Sequence, residues 1–166
     1  MISDNNKEFN SICKDILNNS EFNKLKNEPH HGITSYDHSL RVAKTVFKWA
    51  KQDHLNDYKD ITRAALLHDF YTNDEMEELS SYERLSAHPK LALNNAKKYF
   101  KINKMQEDII KNHMYPATKT RPNTKEGKMV SKADKLVATY EMCHYKFGIQ
   151  FGVLVLFIVK LINIQK

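Results

Sequence analysis

Six side chains combine donor chemistry with a position beside an apolar helix face: His38, His68, Asp69, His88, His113 and Asp134. His68 follows Ala64 and Ala65 by four and three residues, so helical periodicity turns it inward. His113 stands in the same relation to Ile109 and Ile110. Asp134 lies four residues after Val130 and three before Val137, and His38 edges the stripe that runs on through Val42. An ionised carboxylate among apolar neighbours is costly unless something pairs with it. Imidazole and carboxylate together are ligands for a divalent transition metal or Mg, and the adjacent His68 and Asp69 can both reach one ion from a helix end. A carboxylate can also bridge two ions, and ions about 3.5–4 Å apart are a recurrent device for phosphoester cleavage. Taken singly, an inward histidine is more often a hydrogen-bonded core residue than a ligand, and Asp134 could simply pair with Lys135. Only convergence of the set would decide the matter.

Helices must bring these residues together. Phe9, Ile12, Cys13, Ile16 and Leu17 set an amphipathic helix over 7–18. Pro29 and Gly32 break the pattern before a second helix over 36–52, with Leu40, Ala43, Val46, Phe47 and Ala50 on its apolar side. A third helix over 59–69 ends in the His-Asp pair, followed by a polar, acidic connection. Pro89 suits the first turn of a fourth helix, which makes His88 a boundary residue. Asn103 and Gln106 resemble a capping box opening a fifth helix that ends near Met114, and a sixth runs from Thr124 to Tyr145. No segment of convincing period two occurs before residue 147. The fold class expected is therefore all-α, in one domain over 1–146.

Composition narrows the function. Four glycines and four prolines are too few for a turn-rich β fold. The net charge of +6 favours an anionic partner. No run of five basic residues occurs, however, and aromatics do not interleave with lysines, so nucleic acid is disfavoured. Cys13 and Cys143 lack metal spacing, and Cys13 reads as a reduced core thiol. The first thirty residues contain no apolar signal core, so the expected location is cytoplasmic.

The order of His38, then His68-Asp69, then Asp134 resembles the HD superfamily of metal-dependent phosphohydrolases. The stretches "HHGITSYDHSLRVA", "ALLHDFY", "HPKLALNNA", "DIIKNHM" and "VSKADK" resemble a small single-domain bacterial branch of it, over roughly residues 20–146. The resemblance implies a compact helical bundle of about six or seven helices with its metal site among the central ones. It implies that His38, His68, Asp69 and Asp134 bind a divalent cation, with His68 and Asp69 as the catalytic pair. His88 and His113 would add a second ion, with Asp69 as the bridge. The implied cofactor is one or two ions of Fe, Mn, Mg, Co or Ni. The implied reaction is hydrolysis of a phosphoester or phosphoanhydride, in a small nucleotide above all, by metal-activated water. His31, Arg41 and Lys135 are the cations expected to meet substrate. The sequence departs from the branch that cleaves cyclic di-GMP, since "HDFYTND" follows a different course and no GYP signature is present. HD-type hydrolases of symmetrical diadenosine polyphosphates resemble it better, in size and in the Ala-Asp-Lys motif.

The tail "FGIQFGVLVLFIVKLINIQK", residues 147–166, differs from everything before it. Interrupted by Gln150, Lys160 and Asn163, it fits a final helix packed on the domain or on a second subunit of a homodimer. The competing reading is a membrane anchor near the lower length limit for a span. Besides the hydrolase, two other functions stay open at this point. One is a nucleotide-binding or regulatory HD module without turnover, and the other is a membrane-associated interaction protein.

Overall fold

The computed structural model describes residues 2–30 and 32–148. Most of the apolar tail, and with it the anchor or packed-helix expectation, lies outside the described residues. His31 does too. Among the described residues no helix is long and apolar enough to cross a membrane.

The architecture is all-α. In chain order come α1 (Ile2–Leu17), α2 (Ser20–Asn23), α3 (Ser35–Gln52), α4 (Tyr58–Leu67), α5 (Ser81–Tyr99), α6 (Lys104–Asn112) and α7 (Lys125–Glu141). The last runs directly into a π-helical turn over Met142–Phe147. The strand content among the described residues is one two-rung antiparallel ladder, β1 (Pro29–His30) with β2 (Ile33–Thr34), joined through Gly32 at a φ of 94°. That ladder is too short to register as period two in the sequence.

Helix α4 is the centre of the bundle, packed against α1, α3, α5, α6 and α7. Its composition explains the position. Ile61, Thr62, Ala64, Ala65, Leu66 and Leu67 are all buried, so its second half is enclosed on every side but the one that carries Lys59, Asp60 and Arg63. Thr62 satisfies its hydroxyl by donating to the Tyr58 carbonyl at 2.6 Å. Helix α3 presents Val42, Ala43, Val46, Phe47 and Ala50 to it, at three- and four-residue steps. Thr34 caps α3 by accepting from the Asp37 N–H at 3.1 Å. Cys13 is fully buried in the same core, and burial pushes its thiol up to about 12, as expected for an inert core thiol.

One helix starts earlier than expected. Helix α5 begins at Ser81, with Pro89 inside it, so His88 is a mid-helix residue and not a boundary. Ser80 and Glu83 form a capping box: the Glu83 N–H donates to Ser80 Oγ at 3.4 Å, and the Ser80 N–H to Glu83 Oε2 at 2.9 Å. That start signal, together with burial of Ala92, Leu93 and Ala96 further along, outweighs the hydrogen bond that Pro89 cannot make. By contrast, the Asn103–Gln106 box opens α6 as the sequence suggested, with both reciprocal bonds present.

Candidate metal centre

The inner ends of α4 and α6 and the inward faces of α3, α5 and α7 meet at one place. His68 and His113 are the C-caps of α4 and α6, and they are held identically. His68 Nδ1 donates to the Ala65 carbonyl at 2.8 Å, and His113 Nδ1 to the Ile110 carbonyl at 2.8 Å. His88 does the same one turn back along α5, donating from Nδ1 to the Arg84 carbonyl at 2.8 Å. In the first turn of α3, His38 Nδ1 donates to Glu141 Oε2 at 2.8 Å. Every one of the four imidazoles thus spends Nδ1 on a protein acceptor and turns Nε2 toward the cluster. An outer acceptor of this kind fixes ring orientation and tautomer in metal-binding histidines.

The Nε2 atoms fall into two groups around the carboxylates. In the first, His38 Nε2 lies 3.2 Å from Asp134 Oδ1 and 4.0 Å from Asp69 Oδ2. His68 Nε2 lies 3.4 Å from Asp69 Oδ2 and 3.7 Å from Asp134 Oδ1. In the second, Asp69 Oδ1 is 3.4 Å from His113 Nε2 and 3.6 Å from His88 Nε2, and the two nitrogens are 3.2 Å apart. Donors bound at about 2.1 Å stand about 3.0 Å apart when at right angles and about 4.2 Å apart when opposed. All these separations fall inside that interval, so the residues present fit one divalent ion in each group, with Asp69 between them. Two buried atoms, His68 Nε2 and Asp69 Oδ1, have no hydrogen-bond partner among the described residues. Such orphans are costly unless something satisfies them, and a cation placed between the donors would satisfy both.

Electrostatics agree with this arrangement. All six residues are buried, from 0% exposure at His38 and His68 to 7% at His88 and Asp134. Burial alone would neutralise the carboxylates. The charge of His68, with the close imidazole of His113, nonetheless holds Asp69 well below the usual carboxylate range. The hydrogen bond from His38, with the nearby charge of His68, does the same for Asp134. Burial opposes the charged form of His38, but its bonds to Asp134 and Glu141 outweigh it and push the imidazole up to about 10. His68 is also raised, chiefly by Asp69 acting against its burial. His88 moves the other way, lowered by burial. Both shifts favour the protonated forms of His38 and His68 beside the two carboxylates.

A pH dependence follows with a definite sign. An ion takes the neutral imidazole, so below about 10 its binding must expel the proton of His38. Apparent Mn(II) affinity should rise with pH by about tenfold per unit for each proton released. Isothermal titration between pH 6.5 and 8.5, in buffers of different ionisation enthalpy, checks both the slope and the protons released.

The expected substrate cations stand beside the cluster with their charges engaged. Arg41 donates from one guanidinium nitrogen to the Tyr145 hydroxyl at 2.7 Å, and another lies 3.5 Å from Glu141 Oε1. Lys135 Nζ donates to the His113 carbonyl at 2.6 Å and lies 3.2 Å from Asp134 Oδ2. His31 lies outside the described residues.

Two residues at the site escaped the sequence reading. Glu141 is fully buried and orients His38. A signal for it existed: Val130, Asp134, Val137 and Glu141 step by four, three and four along one face of α7. His30 brings its ring to 4.2 Å from that of His38, between centroids. Nothing in the sequence singled it out, because whether a residue of so short a strand faces inward depends on where the hairpin comes to rest.

Residues 35–139 match the family model described as HD domain. No curated protein and no solved structure matches the chain. Both His30 and Glu141 lie outside the matched residues.

Proposed function

Because the chain belongs to the HD-domain family, we propose that it is a metal-dependent phosphohydrolase acting on small phosphorylated substrates, nucleotides foremost. In this reading His38, His68, Asp69 and Asp134 hold one ion, while Asp69, His88 and His113 hold a second. The observation that carries it is the common orientation of four buried imidazoles, each with Nδ1 tied and Nε2 aimed at a shared carboxylate pair. When bound, divalent ions supply Lewis acidity and a water that ionises near neutral pH. Four nitrogen donors beside two carboxylates suit Mn, Fe, Co or Ni better than Mg, which prefers oxygen.

The chain's own residues supply the rest. Asp69 and Asp134 provide the negative charge, and Glu141 keeps the His38 ring turned inward. Lys135 pins Asp134 to the end of α6, fixing the distance between α7 and the His113 turn. The net charge of +6 draws anionic substrates toward the surface.

Bis-p-nitrophenyl phosphate and p-nitrophenyl phosphate, offered to protein loaded with Mn(II) or Fe(II), test the proposal. The expected result is turnover that depends on the ion and stops on chelation. Bound metal without turnover across a broad panel of phosphate esters would overturn the enzyme in favour of a binding module.

A further inference from the structure

His30 lies outside the family-matched segment, yet its side chain reaches the cluster. One of its ring nitrogens, a ring nitrogen of His38 and a carboxylate oxygen of Asp69 all lie within 4.8 Å of one another. Opposed donors of one ion span about 4.2 Å, so the three need to draw in by only a few tenths of an ångström to share one. Ring spacing is compatible as well. Two imidazoles held roughly at right angles by one ion, each at about 2.1 Å, have ring centres about 4.5 Å apart. The centres of His30 and His38 are 4.2 Å apart. Those of His38 and His68 stand at 5.4 Å, and those of His88 and His113 at 5.2 Å, each a pair assigned above to a shared ion.

His38 decides which ion this would be. Its Nδ1 is spent on Glu141 Oε2 at 2.8 Å, and its Nε2 faces Asp134 and Asp69. One nitrogen is left to give, and it can hold one ion. An ion shared by His30 and His38 is therefore the first ion and not a third. His30 is half-buried where the other donors are buried, so it approaches from the more open side of the group.

Local structure fixes His30 in that place. The Ser35 N–H donates to the Glu28 carbonyl at 2.8 Å, which closes the hairpin onto the first turn of α3, just before His38. The Asn73 N–H donates to Glu28 Oε2 at 3.0 Å, tying the base of the hairpin to the connection that follows the His68-Asp69 pair. At the other end, a Cβ on Gly32 would come within 2.8 Å of Tyr145 Cβ, so this close approach and the positive φ both require glycine. The ladder that carries His30 is thus anchored to both segments that supply its partners.

We infer that His30 is a fifth protein donor to the first ion, beside His38, His68, Asp69 and Asp134. This rests on the metal-dependent phosphohydrolase reading and deepens it. The first ion then has three imidazoles and both carboxylates, whereas the second has two imidazoles and the shared Asp69. That asymmetry makes the first ion the tightly held one and leaves positions for substrate oxygens mainly on the second. The added nitrogen also moves the first site away from Mn and toward Co and Ni.

Co(II) is the probe that tests it, titrated into wild type, His30→Ala and His30→Gln and followed by affinity and by the visible absorption of the bound ion. His30→Ala should lower affinity for the first Co(II) about tenfold or more, since loss of even an outer partner of a metal-binding histidine costs about 10–100-fold. Its absorption should shift, and added imidazole should restore it. His30→Gln keeps a hydrogen-bonding group but no imidazole nitrogen, and it should behave like His30→Ala. Wild-type affinity and absorption in His30→Ala would overturn the inference alone. Recovery in His30→Gln would also overturn it, making His30 a hydrogen-bond partner of the site. Wild-type crystals soaked with Co(II) give a reading that needs no variant to fold. The ion beside His38 and Asp69 should lie about 2.0–2.2 Å from a His30 nitrogen, and a separation beyond about 3 Å would overturn the inference. A wild type that binds no Co(II) would remove the phosphohydrolase reading and this inference together.

Discussion

Asp69→Ala is expected to strip the protein of its metal and its activity together. Asp69 is the side chain that belongs to both donor groups, with Oδ2 at 3.4 Å from His68 Nε2 and Oδ1 at 3.4 Å from His113 Nε2. Its removal takes a donor from each group and a charge that favours the protonated forms of His68 and His38. The remaining second group would be two imidazoles with nitrogens 3.2 Å apart, a poor site for any ion. Metal content should fall from one or two ions per chain to near zero. Turnover should fall by on the order of 10³-fold or more, since a single preorganised electrostatic contact already carries about 10²–10³. Elemental analysis beside the assay on bis-p-nitrophenyl phosphate checks it. Asp69→Asn is the informative companion, because it keeps the volume and removes the charge. Its metal content should be nearly as low.

Glu141→Ala should be the second most damaging change, although it removes none of the six donors. Glu141 is fully buried and accepts from His38 Nδ1 at 2.8 Å, with Arg41 at 3.5 Å from its other oxygen. Truncation leaves the His38 N–H without an acceptor and the Arg41 charge short of its partner. Breaking one side of a buried pair typically costs about 3–5 kcal/mol, so the melting temperature should drop clearly in the metal-free protein. Loss of an outer partner of a metal-binding histidine lowers metal affinity about 10–100-fold. Glu141→Gln keeps an oxygen for the His38 N–H. It should therefore recover most of the metal affinity while recovering less of the stability, since the Arg41 charge remains unmatched. A merely structural role for Glu141 would give variants whose Mn affinity matches wild type once they are folded.

Most of the helices, and the inward placement of His68, His113 and Asp134, were legible in the sequence because helical periodicity is a local signal. His68, His113 and Asp134 each sit three or four residues from buried apolar side chains, and each of them points inward as that spacing requires. The Asn103–Gln106 box was legible for the same reason. Helix α5 was misjudged at its start because two local signals compete there, the Ser80–Glu83 box and Pro89. Packing of residues eleven to fifteen positions along the helix decides between them. The hairpin was invisible, since two residues per strand carry no periodicity. The parts of the site that sequence could not supply are the long-range ones. That Glu141 meets His38 across 103 residues, and that the His30 ring touches that of His38, depends on where α7 and the hairpin come to rest.

Anomalous scattering from crystals grown or soaked with Mn(II) tests the central claim most directly. The account expects a peak within coordinating distance, about 2.0–2.2 Å, of His38 Nε2, His68 Nε2, Asp69 and Asp134. At sufficient Mn(II) a second peak should appear between Asp69, His88 and His113. Mn(II) bound elsewhere on the protein, with no peak beside Asp69, would contradict it.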